Sequence, residues 1–265
     1  MVKKIILDLD EHYIGEKRDF IREMSKTYRI QTEDFVSPEP EGAVVLTDKE
    51  QGAQLWKNYA VIGIEHGNKV NSAPYVLENL EDITDYDIRL AYGRKHGIPC
   101  MIAANDKFTL REASLEDIEE LKRIYADKEN VKYIPQMGSV ETEKDNLASY
   151  IRYMYGYYGY GLWIIEDNNT GCLIGRAGIE HREIDGEFCY ELAYLVRKEY
   201  RRKGYGYEAA QMALEFAKQY GMEQIITYIR DKNIPSMRLS EKLGFTRWKE
   251  TMDGIKKYIV YRKEL

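Results

Sequence analysis

The sequence predicts a mixed α/β chain in two parts: a small parallel α/β unit over residues 1–106, then a mostly antiparallel sheet with helices over residues 107–265. Three observations carry this. In the first part short apolar runs alternate with helical stretches, the order that sets neighbouring strands parallel. In the second part Asn168-Asn169-Thr170-Gly171, Ile184-Asp185-Gly186 and Asp253-Gly254 read as hairpin turns. Between those turns a strand at 187–196 runs into a basic, glycine-punctuated loop and then a helix.

In residues 1–106, the apolar run 3–9 is a buried strand, and 16–25 is a helix with Phe20, Ile21 and Met24 on one side. Pro38 and Pro40, among acidic neighbours, make a loop. Residues 43–46 are a second strand, and Thr47 caps a helix over 48–58 that carries acids in its first turn. Strands at 59–64 and 75–77 follow, then a helix over 85–96 closed by Gly97, with Pro99 beyond. The order is Rossmann-like. Asp8-Leu9-Asp10 after the first strand and Thr47 at the end of the second resemble the nucleophile and phosphate-gripping segments of haloacid-dehalogenase-like phosphatases. That resemblance implies phosphatase chemistry as one alternative, with Glu78, Glu81 and Asp82 as available acids. The other is a degenerate accessory unit whose acids are solvated. His12, His66 and His96 lack ligand spacing, so no metal is expected.

In residues 107–265, 108–113 alternates as a strand, and Ser114 with Asp117 forms a capping box ahead of a helix that turns Ile118, Leu121, Ile124 and Tyr125 inward. An aromatic tract follows: Tyr150, Tyr153, Tyr155, Tyr157, Tyr158, Tyr160 and Trp163, with Gly156, Gly159 and Gly161 between. Strands are expected at 162–166, 172–181 and 187–196, a helix to Tyr220, a strand at 224–230, a helix at 235–243 and a hairpin over 245–262. In the helix that ends at Tyr220, Ala209, Met212, Ala213, Phe216 and Ala217 make one apolar stripe.

The loop ahead of that helix carries chemistry. Arg201, Arg202 and Lys203 precede Gly204, Tyr205, Gly206 and Tyr207. A helix start has unpaired N–H groups and the positive end of the peptide dipoles. Glycines there let a ligand reach those donors, and the cations add charge, so a pyrophosphate suits the place. A tight, solvated basic turn is the alternative reading. The pattern Arg201-x-x-Gly204-x-Gly206, followed downstream by Asn233-Ile234-Pro235-Ser236 and Glu241-Lys242-Leu243-Gly244-Phe245, resembles the acyl-CoA loop and the following segment of the GNAT acetyltransferase superfamily. The run from Gly161 to Ile179 is most similar to the ribosomal-protein N-terminal acetyltransferase branch.

The resemblance implies a mixed, mostly antiparallel sheet that splays between two parallel strands, with acetyl-CoA in the gap. It implies main-chain pairing with the cofactor at Tyr194, Leu195 and Val196, and pyrophosphate binding at residues 202–207. It further implies cofactor contacts from Asn233 and Ser236. Glu191 fills the slot often taken by a carboxylate base; an edge glutamate with a structural hydrogen bond is the equal alternative. Many relatives carry a tyrosine acid where this chain has Ser240, so Ser240 is the candidate donor to the departing thiolate. Tyr157, Tyr158, Tyr160 and Trp163 would wall the acceptor pocket, against the plainer reading that they pack helix on sheet. His181 is more simply structural.

The implied activity is acetyl transfer to a primary amine of a small molecule or a peptide N-terminus. Rivals are a weak or inactive acyl-CoA-binding module and the phosphatase above. Residues 1–106 carry 13 Lys+Arg against 19 Asp+Glu, and the remainder carries 26 of each, a balance that argues against nucleic acid as a partner. No apolar run reaches the length of a membrane span, and three widely spaced cysteines point to a reducing cytoplasm.

Overall fold

The structure is a computed structural model and describes residues 2–32, 41–54, 58–67 and 69–265. The expected loop at Pro38 and Pro40, and part of the helix expected over 48–58, lie outside the described residues. The chain packs as two compact units, Met1–Cys100 and Met101–Leu265. Among the described residues no helix is long and apolar enough to cross a membrane.

The first unit is a parallel sheet in the order β2-β1-β3-β4-β5. Its strands are β1 (Lys4–Asp8), β2 (Arg29–Gln31), β3 (Ala43–Thr47), β4 (Ala60–Ile64) and β5 (Val76–Leu77). β3 and β4 are buried at every position, as strands covered on both faces must be. The helix expected over 16–25 is α2 (Arg18–Met24), and a further short helix, α1 (Glu11–Glu16), precedes it and meets it at Lys17. Thr47 does not cap the next helix, α3 (Glu50–Ala53); Lys49 holds that position. Instead the Thr47 hydroxyl donates to Asp8 Oδ2 (2.9 Å) and accepts from the Lys49 amide (3.1 Å). α4 (Asp85–His96) is capped by Thr84 and closed by Gly97 at a φ of 65°.

The second unit is an eight-stranded sheet in the order β12-β13-β11-β10-β9-β8-β7-β6. β6 (Met101–Ala104) pairs with β7 (Phe108–Arg111) and lies ahead of residue 107. α5 (Ile118–Tyr125) follows the expected capping box at Ser114 and Asp117, whose carboxylate also takes a two-pronged bond from Arg111 (2.8 and 2.9 Å). α6 (Val140–Tyr150) winds on as a π-helical stretch, Ile151–Tyr158, so much of the aromatic tract is helical. β8 (Leu162–Asp167), β9 (Leu173–Ile184) and β10 (Glu187–Val196) form an antiparallel meander. The β9–β10 turn has Asp185 at φ 54° and Gly186 at φ 82°, the left-handed pair a two-residue hairpin needs. α7 (Tyr205–Gln219) packs Ala209, Ala210, Ala213 and Ala217 on the sheet. β11 (Gln224–Arg230), α8 (Ile234–Lys242), β12 (Thr246–Asp253) and β13 (Lys256–Glu264) complete the chain.

The close strand spacing depends on small residues in β9. A Cβ on Gly175 would lie 2.0 Å from the Leu195 carbonyl oxygen of β10. Gly175→Ala is therefore expected to push the two strands apart and cost about 1–3 kcal/mol of stability, read as a lowered urea midpoint.

Candidate active site

β10 and β11 are parallel neighbours joined at one register point, Glu191 opposite Ile226. β10 keeps its other edge paired to β9 along its whole length, from Glu187 to Val196. Beyond Glu191 the two parallel strands part, and Tyr194, Leu195 and Val196 remain half-buried along the gap.

The loop after β10 turns through Arg202 at φ 61° and Gly204 at φ 93° into α7. Its first helical bond is from the Glu208 amide to the Gly204 carbonyl (3.0 Å), and no side chain caps it. Among the described residues, no acceptor takes the amide N–H groups of 202–207. Arg202 and Lys203 are exposed beside them. Arg201 differs from its neighbours: its guanidinium donates to the Val196 carbonyl (3.0 Å), Asn130 Oδ1 (2.7 Å) and Asp127 Oδ1 (3.2 Å), so it braces the loop from inside. Tyr205 packs its ring against Phe108 and Tyr200, and Tyr207 lies under Lys242. Gly206 sits where a Cβ would come within 3.2 Å of Val196 Cγ2, so the helix start presses on the parted strand. A row of unclaimed donors with two exposed cations, Lys203 lying 5.7 Å from the centre of the Tyr200 ring, fits a pyrophosphate.

Across the gap, Asn233 caps α8 by accepting from the Ser236 amide (3.4 Å). The Tyr194 phenol reaches over from β10 and donates to the Ser236 carbonyl (3.1 Å). Ser240 is fully buried, with its hydroxyl 3.1 Å from that of Thr227. That enclosure removes Ser240 as a proton donor to a thiolate in the gap.

Glu191 is buried at the point where the strands part. Its Oε2 accepts from Arg182 Nε. Burial pushes the carboxyl up to about 7, with Glu180 adding to the rise and Arg182 opposing it. The hairpin register sets Glu180 directly opposite Glu191, hence on the same face. Glu180 accepts from the Tyr150 hydroxyl (2.9 Å), and that phenol also accepts from the Leu162 amide (2.7 Å). On the same face Arg176 donates to the Leu162 carbonyl (3.2 Å) and lies 5.5 Å from the centre of the Tyr150 ring. The arrangement can hold a cationic amine and take a proton from it.

The expected tyrosine wall is mostly elsewhere. Trp163, Ala177 and Tyr194 share one row of the sheet, and Tyr194 is three residues from Glu191, so this row faces away from Glu191. Trp163 is fully buried against Phe216, and Tyr160 is enclosed by Tyr158, Tyr190 and Tyr220. Both are core residues, not pocket walls. Tyr157 is 80% exposed and touches Tyr158. His181 stacks between Phe188 and Tyr158 on that same opposite face. The residues that do surround Glu191 were not singled out from the sequence. The signal was present: a two-residue turn at Asp185-Gly186 fixes the register, and counting back from it puts Glu180 opposite Glu191.

In the first unit, Asp10 caps α1 by accepting from the His12 and Tyr13 amides (2.9 and 3.3 Å). Asp8 has both oxygens engaged, by Thr47 (2.9 Å) and Lys49 (2.8 Å). A Cβ on Gly52 would fall 2.2 Å from Asp8 Oδ2, so α3 lies over the pair. Glu81 pairs with Lys17 (2.6 Å), and Asp82 caps at Asn79. Among the described residues no three His, Cys, Asp or Glu side chains are grouped to hold a metal.

Comparison with known proteins agrees with this geometry. A family model described as an acetyltransferase (GNAT) domain matches residues 107–246. The chain is 32% identical over 142 residues to the uncharacterized N-acetyltransferase YnaD of Bacillus subtilis (strain 168), covering 53% of this chain and 80% of that protein. Among solved structures, a GnaT-family acetyltransferase from Bordetella pertussis aligns with a TM-score of 0.52 at 20% identity, over 61% of this chain and 98% of that one. The ribosomal L7/L12 alpha-N-protein acetyltransferase RimL aligns with a TM-score of 0.54 at 13% identity, over 63% and 95%. These two likenesses speak for the fold alone. On the family match and the parted sheet together, the chain belongs to the GNAT acetyltransferases, enzymes that draw their acetyl group from acetyl-CoA.

Proposed function

We propose that residues 107–265 transfer an acetyl group from acetyl-CoA to a primary amine, with Glu191 as the base and residues 1–106 as an accessory domain. The observation that carries this is the single β10–β11 contact, which leaves a gap running from a buried carboxylate to an uncapped, cationic helix start. Acetyl-CoA supplies the thioester: the amine nitrogen bonds to its carbonyl carbon, the C–S bond breaks, and the thiolate leaves with the bonding pair. The amides of 202–207, with Arg202 and Lys203, hold the pyrophosphate. Main-chain groups of 194–196 pair with the pantetheine arm, and Asn233 and Ser236 border it. Glu191 takes one proton from the incoming ammonium, whose ordinary pKa of about 10.4 keeps it charged in solution, and later returns that proton to water. The second proton lost by the nitrogen balances the thiolate through solvent, since Ser240 is sealed away. A small-molecule amine and a peptide N-terminus are both suited to this chemistry. The wide spacing of the three cysteines along the sequence supports a reducing, cytoplasmic setting.

The deciding experiment is a panel of amines and short peptides with acetyl-CoA and thiol detection. Release with at least one acceptor supports the reading; tight CoA binding with no release above background makes the chain a binding module. Glu191→Gln is expected to keep the affinity for CoA while kcat falls by about 10²–10⁴, with calorimetry and turnover as the two measurements. The sign of the pH dependence follows from the base being active when charged: kcat/KM should rise as pH passes through about 7, where Glu191 loses its proton. Gly206→Glu, which forces a side chain against Val196 and a negative charge beside the helix start, should weaken CoA binding at least ~10-fold, about 1.4 kcal/mol.

A further inference from the structure

Two carboxylates directly opposite in a β-ladder repel each other, and a fold with no use for the pair would not favour it. Glu180 and Glu191 are such a pair, with Glu191 buried. Arg182 answers Glu191 directly, while Arg176 lies on the Glu180 side of the same face. Arg182, diagonal to Glu191 across the same hairpin, donates Nε to Glu191 Oε2. Its guanidinium lies 4.2 Å from the centre of the Tyr228 ring, which is itself stacked on Tyr258 at 4.1 Å. Tyr228 belongs to β11, two residues past Ile226, so Arg182 reaches from β9 over β10 to the strand on the far side of the gap. It straddles the point where the sheet parts. Glu180 forms no ion pair among the described residues and accepts from Tyr150 of α6.

We propose that Arg182 and Glu180 are positioning residues for acetyl transfer: Arg182, braced on Tyr228, holds Glu191 in place as a charged carboxylate, and Glu180 opposes that hold. This rests on Glu191 being the base of the proposed reaction. The groups that face Glu191 are Glu180 and Arg182 from β9, Tyr228 from β11 and, through Glu180, Arg176 from β9 and Tyr150 from α6. Burial alone favours the neutral carboxyl, which cannot accept a proton. Arg182 pulls toward the charged form. Glu180 pulls the other way and keeps the charged form basic enough to take a proton from an ammonium. The β9 side chains thereby set the pH at which the site works without touching the reacting atoms.

Infrared titration of the full chain tests this without any acceptor. The protonated-carboxyl stretch of wild type minus that of Glu191→Gln isolates the titration of Glu191. In Arg182→Gln the midpoint should move up by about one pH unit or more, and in Glu180→Gln it should move down, because an opposite or a like charge at this range acts with that size and sign. Arg182→Lys, which keeps the charge but not the planar stack on Tyr228, should fall between Arg182→Gln and wild type. A midpoint that stays at the wild-type value in both Gln variants overturns the proposal, and circular dichroism of each variant guards against reading misfolding as a shift. The acid limb of kcat/KM, measured with the acceptor that the amine panel yields, should follow the same order. Midpoints that move while this limb stays put would overturn Glu191 as the base and leave the charge arrangement standing. A wild-type chain that releases no thiol fails the acetyl-transfer reading instead, and the infrared result still decides the arrangement.

Discussion

The second unit depends on one constraint: two parallel strands that meet at a single residue pair and then diverge. Backbone groups along a parted strand must find partners, because unpaired buried N–H and C=O groups are costly. β10 settles half of this account against β9, along its full length. Its other edge past Glu191 has no strand to pair with. In the proposed reaction the extended arm of the cofactor is what completes that edge. The gap stays open because both flanking helices hold it. Gly206 lets α7 press on Val196, and Tyr194 ties β10 to the first turn of α8 through the Ser236 carbonyl.

The two ends of the gap solve opposite electrostatic problems. At the wide end the proposed anion would be held in water's presence, so exposed cations and unclaimed helix amides suffice, and Arg201 can be diverted to bracing the loop. At the narrow end the proposed reaction moves a proton, which requires a group whose charge is finely balanced. Burial, one cation and one like charge provide that balance around Glu191. The same short strand, β10, carries both ends, so the distance between them is fixed by strand geometry.

Much of this was legible in the sequence, and the gaps have physical causes. The strands of the meander, the helix after the glycine loop and the final hairpin were readable because their turns use left-handed residues at Asp185, Gly186 and Gly254. β2 escaped notice because three residues on a sheet edge show no period, and β6 because its four are only partly buried. α1 was not expected because its six residues include Gly15 and bury only Tyr13, too little to show a helical stripe. Within the site, the proposed main-chain binding positions rest on the resemblance to the acetyltransferase family. Side-chain partners could not be read that way: whether Trp163 or Glu180 shares a face with Glu191 depends on strand register, and a shift of one residue exchanges the faces. Register was the missing step, although the hairpin turn encodes it.

The two acidic strand ends show why residue type alone misleads. Asp8 and Glu191 both invite a catalytic reading. Asp8, however, has each oxygen engaged by a neighbour, is covered by Gly52, and shares its edge with Asp10, which caps a helix. Glu191 is buried, faces a second carboxylate and has one cation, so its two charge states are closely matched. A fold gains little stability from such a balance, since removing Glu180's charge or the buried acid would relieve it. What it gains is a group able to exchange a proton beside an open seam. Contested charge, more than the presence of an acid, is what separates the carboxylate proposed as the base from the structural one.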